Sequence, residues 1–399
     1  MEWKEVTLGE VSSKIGDGLH GTPKYDDEGS YYFINGNNLN CGKIIIKDDT
    51  KRVGIEEFVK NQKELNEQTI LVSINGTIGN VAKYNNEPCI LGKSACYINV
   101  IKEVDKEFIY YILTSANFKR NITNEATGTT IKNVSLKQMR EYKFNIPCNL
   151  ADQRRIASIL SSLDRKIELN NKINADLEEM AQAIFKNWFV DFEPFKDGKF
   201  VDSELGMIPE GWKVGTLGDI TKNKSAKVKE RNDVKVLSPV TTGELVLSEE
   251  YFTKQVFSSS IAKYKIVNKG EFAYNPARVN IGSLGRNEFD FDGCVSPVYV
   301  VFSVLEGYEN YFDLFRKTDF FKDSVASLAI GGVRQSLSYD DLSLIETIIP
   351  SENIVEKFNN LYNQMKKTIK ANKQENSRLS LLRDTLLPRL MSGELEVPE

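Results

Sequence analysis

The chain has 399 residues, of which 41% are hydrophobic and 27% are charged, as is typical of a soluble globular protein with about two or three domains. Lys and Arg number 52 against 56 Asp and Glu, so the formal net charge is −4. No segment of domain size is basic as a whole, and we do not expect tight nonspecific binding to nucleic acid. The single histidine, His20, counts against His-rich metal sites.

The cysteine pattern and the apolar runs indicate where the protein works. No C-x-x-C occurs among the five widely spaced cysteines, so neither a zinc site nor a disulfide framework is expected, and a reducing cytoplasm fits best. The N-terminus is acidic and amphipathic, unlike a secretory leader. The longest apolar run, near residues 295–305, is too short to span a bilayer. We expect a soluble cytoplasmic protein with no membrane association.

Four regions follow one another along the chain, and they alternate in character. Residues 1–150 and 209–350 contain short β-rich runs, such as 43–47, 69–74 and 295–303, separated by clusters of Gly, Asn, Pro and Asp. This pattern predicts mixed, mainly β domains with long loops. Residues 151–208 and 351–399 form two helical regions. The predicted fold class is therefore α+β.

Each helical region carries a sustained heptad pattern of apolar residues. The first runs from Ile156 to Trp188 and the second from Phe358 to Leu390, which predicts two helices of about 33 residues and about 50 Å each. Asn149, two residues after Pro147, and Ser351, directly after Pro350, are expected to cap these helices. The residues expected to pair the helices near their centres are Ile167, Asn170, Asn174, Leu177, Ile369, Asn372, Asn376 and Leu379.

The heptads alone leave the direction of pairing open. An antiparallel coiled coil would pair Asn170 with Asn376 and Asn174 with Asn372, whereas a parallel one would pair Asn170 with Asn372. Buried Asn layers cost stability but penalise slipped registers. The alternative is that each amphipathic helix packs separately on its own domain.

An internal repeat relates the two halves of the chain. Residues 3–11 resemble residues 212–220, and residues 128–135 resemble residues 331–338, in the same order and with nearly the same spacing. A repeat of about 200 residues predicts two duplicated domains and not a solenoid.

Three common nucleotide-binding and catalytic motifs are absent from the sequence. There is no G-x-x-x-x-G-K-[ST] phosphate loop, no G-x-G-x-x-G dinucleotide fingerprint and no G-x-S-x-G nucleophile elbow. A Ser or Cys triad would have to rely on His20 alone. The chain is therefore predicted to bind and not to catalyse.

The loops are rich in side chains that suit base edges and phosphates. Arg, Asn and Gln can make bidentate contacts with bases, while Ser, Thr and Lys suit the sugar–phosphate backbone. The alternative is that these are ordinary turn residues. The candidate DNA contacts are His20, Lys24, Asn35, Asn37, Asn75, Thr77, Thr129, Thr130, Lys132, Asn133, Thr241, Asn275, Arg278, Asn280, Arg286, Arg334, Gln335 and Ser336.

The helical motifs resemble those of a known family. The matching runs are DQRRIA at 152–157, LDRKIELN at 163–170, LEEMAQ at 177–182, FKNWFVDF at 185–192 and LLPRLMSGEL at 386–395. They are similar to the specificity (S) subunits of Type I restriction-modification systems, and the likeness extends over the whole chain. In that family the sequences of the recognition domains diverge with the DNA target. Over these domains the resemblance is therefore limited to their general organisation.

The resemblance implies an antiparallel helix pair relating two target-recognition domains by a pseudo-twofold axis. Each domain would read one half of a bipartite, asymmetric target in double-stranded DNA. The implied partners are two methyltransferase subunits and the restriction subunits, which would supply S-adenosylmethionine, ATP and Mg; no cofactor is implied in this chain. The helix ends, with Phe185, Trp188, Phe189 and Leu390, are candidates for partner docking, with core packing as the competing account.

Two other functions remain open at this stage. A stand-alone adenine methyltransferase is one, although Asn275-Pro276-Ala277-Arg278 departs from the N-P-P-[FY] expected of such enzymes. The other is a coiled-coil scaffold with protein-binding β domains and no role in DNA binding.

Overall fold

The computed structural model describes residues 1–126, 132–328 and 336–397. The chain divides into two compact units: the first comprises residues 1–171 and 372–399, and the second comprises residues 172–371. Within the described residues, no helix combines the length and the apolar character that a membrane crossing would need.

The first unit begins with a β-rich region that also contains four short helices. Its strands are β1 Trp3–Thr7, β2 Ser12–Asp17, β3 Tyr31–Ile34, β4 Leu39–Asn40, β5 Lys43–Ile44, β6 Arg52–Val53, β7 Thr69–Ser73, β8 Val81–Lys83, β9 Cys89–Leu91, β10 Ala95–Val100 and β11 Lys143–Pro147. Its short helices are α1 Ile55–Asn61, α2 Lys106–Thr114, α3 Ala116–Glu125 and α4 Leu136–Glu141. A 3₁₀ turn spans Gly36–Asn38.

The strands of the first unit form a four-stranded sheet in the order β2-β10-β7-β8 and a three-stranded sheet in the order β6-β3-β9. In the second of these, β3 and β9 run parallel. β10 is buried at every residue, because it is the inner strand between β2 and β7. The strand pair β1–β11 closes the β region next to the start of the long helix.

The second unit repeats this plan with different sequence. Its strands are β12 Phe200–Val201, β13 Ile208–Pro209, β14 Lys213–Thr216, β15 Thr221–Lys224, β16 Lys235–Pro239, β17 Leu245–Leu247, β18 Lys265–Val267, β19 Phe272–Tyr274, β20 Leu284–Arg286, β21 Gly293–Val295, β22 Val300–Val304 and β23 Glu346–Ile349. The helices that follow the long helix α5 (Leu150–Phe189) in the chain are α6 Leu217–Ile220, α7 Ser248–Tyr251, α8 Glu309–Phe315, α9 Asp319–Leu328 and α10 Tyr339–Ser343, with 3₁₀ turns at Glu193–Phe195 and Val279–Ile281.

The sheet order shows that the sequence repeat is a structural repeat. The order β15-β22-β19-β20 matches β2-β10-β7-β8, and β17-β16-β21-β18 contains a parallel pair, β16–β21, where the first unit has β3–β9. The run expected over 295–303 is two strands, β21 and β22, with a turn between them. The predicted α+β fold class is confirmed.

Two long helices complete the units. They are α5, Leu150–Phe189, and α11, Glu352–Met391, and each has 40 residues, more than the heptads alone predicted. Asn149 caps α5, because its Oδ1 accepts from the Ala151 amide over 2.9 Å. Ser351 behaves differently, since its hydroxyl donates to Asn353 Oδ1 over 2.6 Å.

Inside the first unit the two helices run antiparallel. Asn170 Nδ2 donates to Asn376 Oδ1 over 2.9 Å, which is the contact expected of the antiparallel arrangement. Farther along, Arg383 Nη1 donates to Asp164 Oδ1 over 2.8 Å. Of the predicted pairing residues, Asn170 and Asn174 are buried, and the half-buried ones are Ile167, Leu177, Ile369, Asn372, Asn376 and Leu379.

The ends of the long helices also pack on the β region of their own unit. In the first unit, Ile156 and Leu160 of α5 and Leu390 of α11 share one core with Val6 and Phe108. In the second unit, Phe185 lies 5.4 Å from Tyr311 and 6.1 Å from Phe358, measured between ring centroids. Helix pairing and packing on the domain, the two alternatives of the sequence, are therefore both present.

Candidate nucleic-acid interface

A four-residue turn joins β9 to β10 in the first unit. The Ala95 amide donates to the Gly92 carbonyl oxygen over 3.0 Å, which closes a turn over residues 92–95. We call it the first-unit turn. A side chain on Gly92 would place its Cβ 2.2 Å from Asn35 Oδ1, so only glycine permits this close approach. Three loops that carry candidate residues meet at this turn.

The loop that follows β2 is the first of these. The Leu19 amide donates to the Leu91 carbonyl oxygen over 2.7 Å, and the Lys93 amide donates to the Leu19 carbonyl oxygen over 3.0 Å. These bonds hold the exposed His20 beside the turn, where its Nε2 lies 2.6 Å from Asp17 Oδ2. Lys24 is exposed farther along this loop, next to Tyr25, which bridges to Val53.

The loop that follows β3 is held by a small polar network. The Gly36 amide donates to Ser94 Oγ over 2.9 Å, and the Ser94 hydroxyl donates to Asn35 Oδ1 over 2.9 Å. Asn37 lies in the adjoining 3₁₀ turn with its side chain exposed. The network fixes the backbone of the Asn-rich loop against the first-unit turn.

The loop that follows β7 connects the turn to residues 132–134. The Ile74 amide donates to the Ser94 carbonyl oxygen over 3.0 Å, and the Gly76 amide donates to the Lys132 carbonyl oxygen over 3.1 Å. Asn75 also forms a bridge with Asn133. The candidates Asn75, Thr77, Lys132 and Asn133 are thus brought together on two adjacent segments. Thr129 and Thr130 lie outside the described residues.

Lys93 is a residue that the sequence analysis missed. It is exposed within the first-unit turn, between the loop of His20 and the loop of Asn35. An ammonium group in that position is suited to a phosphate oxygen or to a guanine acceptor. In the sequence Lys93 is a single lysine between two buried strands, and no motif marks it as functional. It differs from other surface lysines only because the loops of His20 and Asn35 meet beside it in the folded unit.

The second unit has an equivalent turn over residues 296–299, which we call the second-unit turn. The Tyr299 amide donates to the Ser296 carbonyl oxygen over 3.0 Å, as the Ala95 amide does to Gly92. Lys265 Nζ donates to the Tyr299 carbonyl oxygen over 2.6 Å and anchors the turn to β18. Burial raises the pKa of the Tyr299 hydroxyl, and nearby Arg278 and a hydrogen bond with the Asn275 side chain oppose that rise.

The candidate loops of the second unit also meet one another. The Ser283 hydroxyl donates to the Pro239 carbonyl oxygen over 2.8 Å, which joins the hairpin loop 275–283 to the loop of Thr241. The Leu337 amide donates to the Pro276 carbonyl oxygen over 3.1 Å, which places Ser336 beside the same hairpin. The exposed side chains here are Thr241, Arg278, Asn280 and Ser336, while Asn275 is half-buried; Arg334 and Gln335 lie outside the described residues.

Arg286 requires a correction. It pairs with Phe272 at the far end of the β19–β20 hairpin, away from the loop 275–283. Its Nη1 donates to Asn310 Oδ1 over 2.9 Å, and its Nε lies 3.7 Å from Glu288 Oε1. The guanidinium therefore stabilises the unit, and Arg286 does not belong to the candidate interface.

The predicted docking residues also require a correction. Phe185, Phe189 and Leu390 are 2%, 4% and 1% exposed, so their side chains belong to the cores of the units and present no surface to a partner. Trp188 is half-buried, 6.1 Å from Phe358 between ring centroids. Sequence periodicity could not separate these accounts, because a core and a docking face both require apolar residues.

Acidic, histidine and cysteine side chains do not gather into groups of three or more suited to a metal ion in the described part of the chain. The two loop clusters instead present amide, hydroxyl and cationic groups. Such groups bind anions and the hydrogen-bonding edges of bases.

Comparison with known proteins decides between the remaining functions. Residues 1–179 match the profile of the Type I restriction modification DNA specificity domain. Over these residues the chain is similar to this family of specificity subunits. The role of the family is the recognition of DNA targets, and its members are recognition subunits and not catalytic ones. Specificity subunits assemble with methylase and restriction subunits.

The similarity to curated specificity subunits covers most of the chain. The Type I restriction enzyme MjaIX specificity subunit of Methanocaldococcus jannaschii is 28% identical over 392 residues, which cover 95% of this chain and 87% of the relative. The HindI specificity subunit of Haemophilus influenzae is 26% identical over 374 residues, covering 72% of this chain and 77% of the relative.

A solved structure has the same fold. The crystal structure of a Type-I restriction-modification system S subunit from M. genitalium superimposes with a TM-score of 0.60 at 19% identity, covering 98% of this chain and 96% of that one.

Proposed function

We propose that this specificity subunit reads a bipartite, asymmetric sequence in double-stranded DNA, one half with each unit. The observation that carries the proposal is the repeated turn. In the first unit, loops rich in base-reading side chains are hydrogen-bonded to a four-residue turn. In the second unit, a turn at the same place in the same sheet order lies beside the Asn275 side chain, which hydrogen-bonds to Tyr299. Two similar readers on one chain are suited to two separated half-sites.

The chemistry of the two loop clusters supports an asymmetric target. The first unit presents His20, Lys93 and Lys132, whereas the second presents Arg278 and Thr241 and has Pro297 where the first has Lys93. Since a lysine and an arginine offer different donor geometries to a base pair, the two half-sites are expected to differ.

The two long helices are the elements that we propose to set the unread gap between the half-sites. Each has 40 residues, which corresponds to about 60 Å of rigid helix. Their polar layer at Asn170 and Asn376 opposes slippage, because a shifted register would bury an asparagine against an aliphatic side chain.

The partners complete the proposal. Two methyltransferase subunits would bring S-adenosylmethionine to the bound DNA, and the restriction subunits would bring ATP and Mg. The chain itself would hold no cofactor and would act in the cytoplasm, where its DNA and its partners are found. A small net charge of −4 is compatible with this role if the partners supply part of the phosphate contacts.

Exchange of one recognition region tests the proposal. We would replace residues 1–147 of the full chain with the corresponding region of another specificity subunit, express it with its methyltransferase partner, and sequence the methylated bases of the host genome. We expect one half of the methylated sequence to change while the other half and the gap stay the same. The reciprocal exchange of residues 209–350 is the matched control and should change the other half.

Two results would contradict the proposal. If neither exchange altered the methylated sequence, the chain would be a scaffold and its β domains would have no role in reading DNA. If the isolated chain bound S-adenosylmethionine and methylated DNA alone, it would be a methyltransferase in its own right.

A further inference from the structure

The two equivalent turns differ in what they present to solvent. In the first-unit turn the third residue is Ser94, whose hydroxyl is used inside the protein by Gly36 and Asn35. In the second-unit turn the third residue is Val298, and it is 72% exposed. A strongly exposed position of the second-unit turn is thus occupied by an apolar side chain.

Val298 is held in place by its neighbours in the chain. Pro297 restricts the backbone on one side of it because the pyrrolidine ring fixes φ. On the other side, Tyr299 is anchored by the Lys265 ammonium, which donates to its carbonyl oxygen over 2.6 Å. Since little freedom remains to be lost on binding, a contact made by this valine would incur only a small entropic cost.

The residue that follows Val298 lies beside groups that suit a base reader. The adjacent Tyr299 is close enough to Asn275 for their side chains to hydrogen-bond, and it lies in the electrostatic field of Arg278. Ile281, on the same hairpin loop as Arg278, is 52% exposed. A cation and an amide beside Tyr299, the residue that follows Val298, suit a mixed polar and apolar surface better than a broad hydrophobic partner.

Resting on the proposed function, we propose that Val298 reads a thymine by packing against its 5-methyl group. The thymine methyl is the apolar group that a base pair presents in the major groove, beside the acceptors and donors that Asn and Arg contact. A valine at the tip of the turn would bury that methyl group and disfavour cytosine, whose exocyclic amine would lose its hydration against the isopropyl group. The half-site read by the second unit therefore contains thymine.

Replacement of thymine by deoxyuridine tests this contact, because deoxyuridine keeps every hydrogen bond and lacks only the methyl group. With the methylated sequence known, each thymine of both half-sites would be replaced singly in a duplex and titrated against the full chain with its methyltransferase partner. One deoxyuridine in the second unit's half-site should weaken binding about fourfold, the equivalent of about 0.8 kcal/mol for one buried methyl group.

The variant Val298→Ala completes a double-mutant cycle. It should bind the thymine duplex about fourfold more weakly than the wild type does, and it should lose its preference for thymine over deoxyuridine at that one position. The matched control is Val256→Ala, which truncates a valine that is 54% exposed in another part of the unit, and it should retain the preference. Because both valines face solvent, both variants should keep the melting temperature of the wild type.

Three outcomes would overturn the inference. The half-site could contain no thymine. The loss of affinity from thymine to deoxyuridine could be the same for wild type and Val298→Ala at every position. Val298→Ala could also weaken assembly with the methyltransferase while the assembled complex keeps the full preference for thymine. Failure of the proposed function looks different, since the wild-type complex would then methylate no defined sequence at all.

Discussion

Asn170 on α5 and Asn376 on α11 share one hydrogen bond, from Asn170 Nδ2 to Asn376 Oδ1 over 2.9 Å. The same Nδ2 donates to Glu375 Oε2 over 2.7 Å. Asn170 Oδ1, in contrast, is buried and has no hydrogen-bond partner among the described residues. This layer therefore stabilises the helix pair less than an apolar layer would, which is consistent with a role in fixing the register.

Replacing Asn170 and Asn376 together by leucine should make the first unit more stable. The change removes an unpaired buried oxygen and buries two aliphatic side chains, and we expect a gain of about 1–3 kcal/mol in the free energy of unfolding, measured by urea titration. The methylated sequence should then show more than one gap length, because the register is no longer specified. Lys166→Ala, which removes a solvent-exposed ion pair with Glu375, is the control and should change neither property. A single gap length in the double variant would argue against the register role.

Lys93→Ala should weaken DNA binding without affecting the fold. Lys93 is exposed on the first-unit turn, so its loss removes a cation from the loop cluster and leaves the core intact. If Lys93 contacts a phosphate, the slope of log K against log salt should fall by about 1. Lys102→Ala is the matched control, since Lys102 is an exposed lysine beyond the other end of β10. Equal effects of the two variants would place Lys93 outside the interface.

Two arginines of one hairpin should behave in opposite ways. Arg278 is exposed on the loop 275–283, and Arg278→Ala should lower the affinity for the target by about 1–3 kcal/mol if it contacts a base. Arg286 is occupied by Asn310 and Glu288, and Arg286→Ala should lower the unfolding free energy by about 1–3 kcal/mol and leave the methylated sequence unchanged. Binding isotherms and urea titrations of both variants separate the two roles. A change of target in Arg286→Ala would restore that residue to the interface.

The second unit should lose stability in acid because of Asp313. Burial raises the pKa of this carboxyl, but Arg316, Lys317 and Lys366 outweigh burial and hold it at about 2. Since the folded pKa lies below the ordinary value of about 4, the stability that it contributes, about 2 kcal/mol, is complete above pH 4 and is lost as the pH falls toward 2. Unfolding of a Trp3→Phe chain, followed by the fluorescence of Trp188 and Trp212, reports this unit.

Asp313→Asn should abolish that part of the pH dependence. The variant should also be less stable at pH 7, by about 3 kcal/mol, because the Arg316 guanidinium would lose the carboxylate that lies 2.7 Å from its Nη2. Asp319→Asn is the control, as its ion pair with Lys322 is solvent-exposed and should contribute little. An unchanged acid transition in Asp313→Asn would assign the effect to other carboxyl groups.

Local patterns in the sequence established the elements of this protein. Heptads predicted both long helices, because apolar residues at i, i+3, i+4 and i+7 must lie on one helix face whatever the surroundings. The internal repeat, from residues 3–11 and 212–220 in particular, predicted the two similar β domains that the sheet orders display. The family motifs of the helices identified the class of protein for the same reason, since they are contiguous runs.

Only the tertiary structure decided which candidate side chains lie together on exposed loops and which face the core. Lys93 and Val298 are candidate DNA contacts because the turns that carry them lie near loops that are distant in sequence. Arg286 is no longer a candidate because its guanidinium contacts Asn310 and Glu288. Phe185 and Phe189 could have been a docking face or a core until Tyr311 and Phe358 were seen beside them. Periodicity fixes the face of an element on which a residue lies, but what covers that face depends on contacts between distant segments, and these exist only in the folded chain.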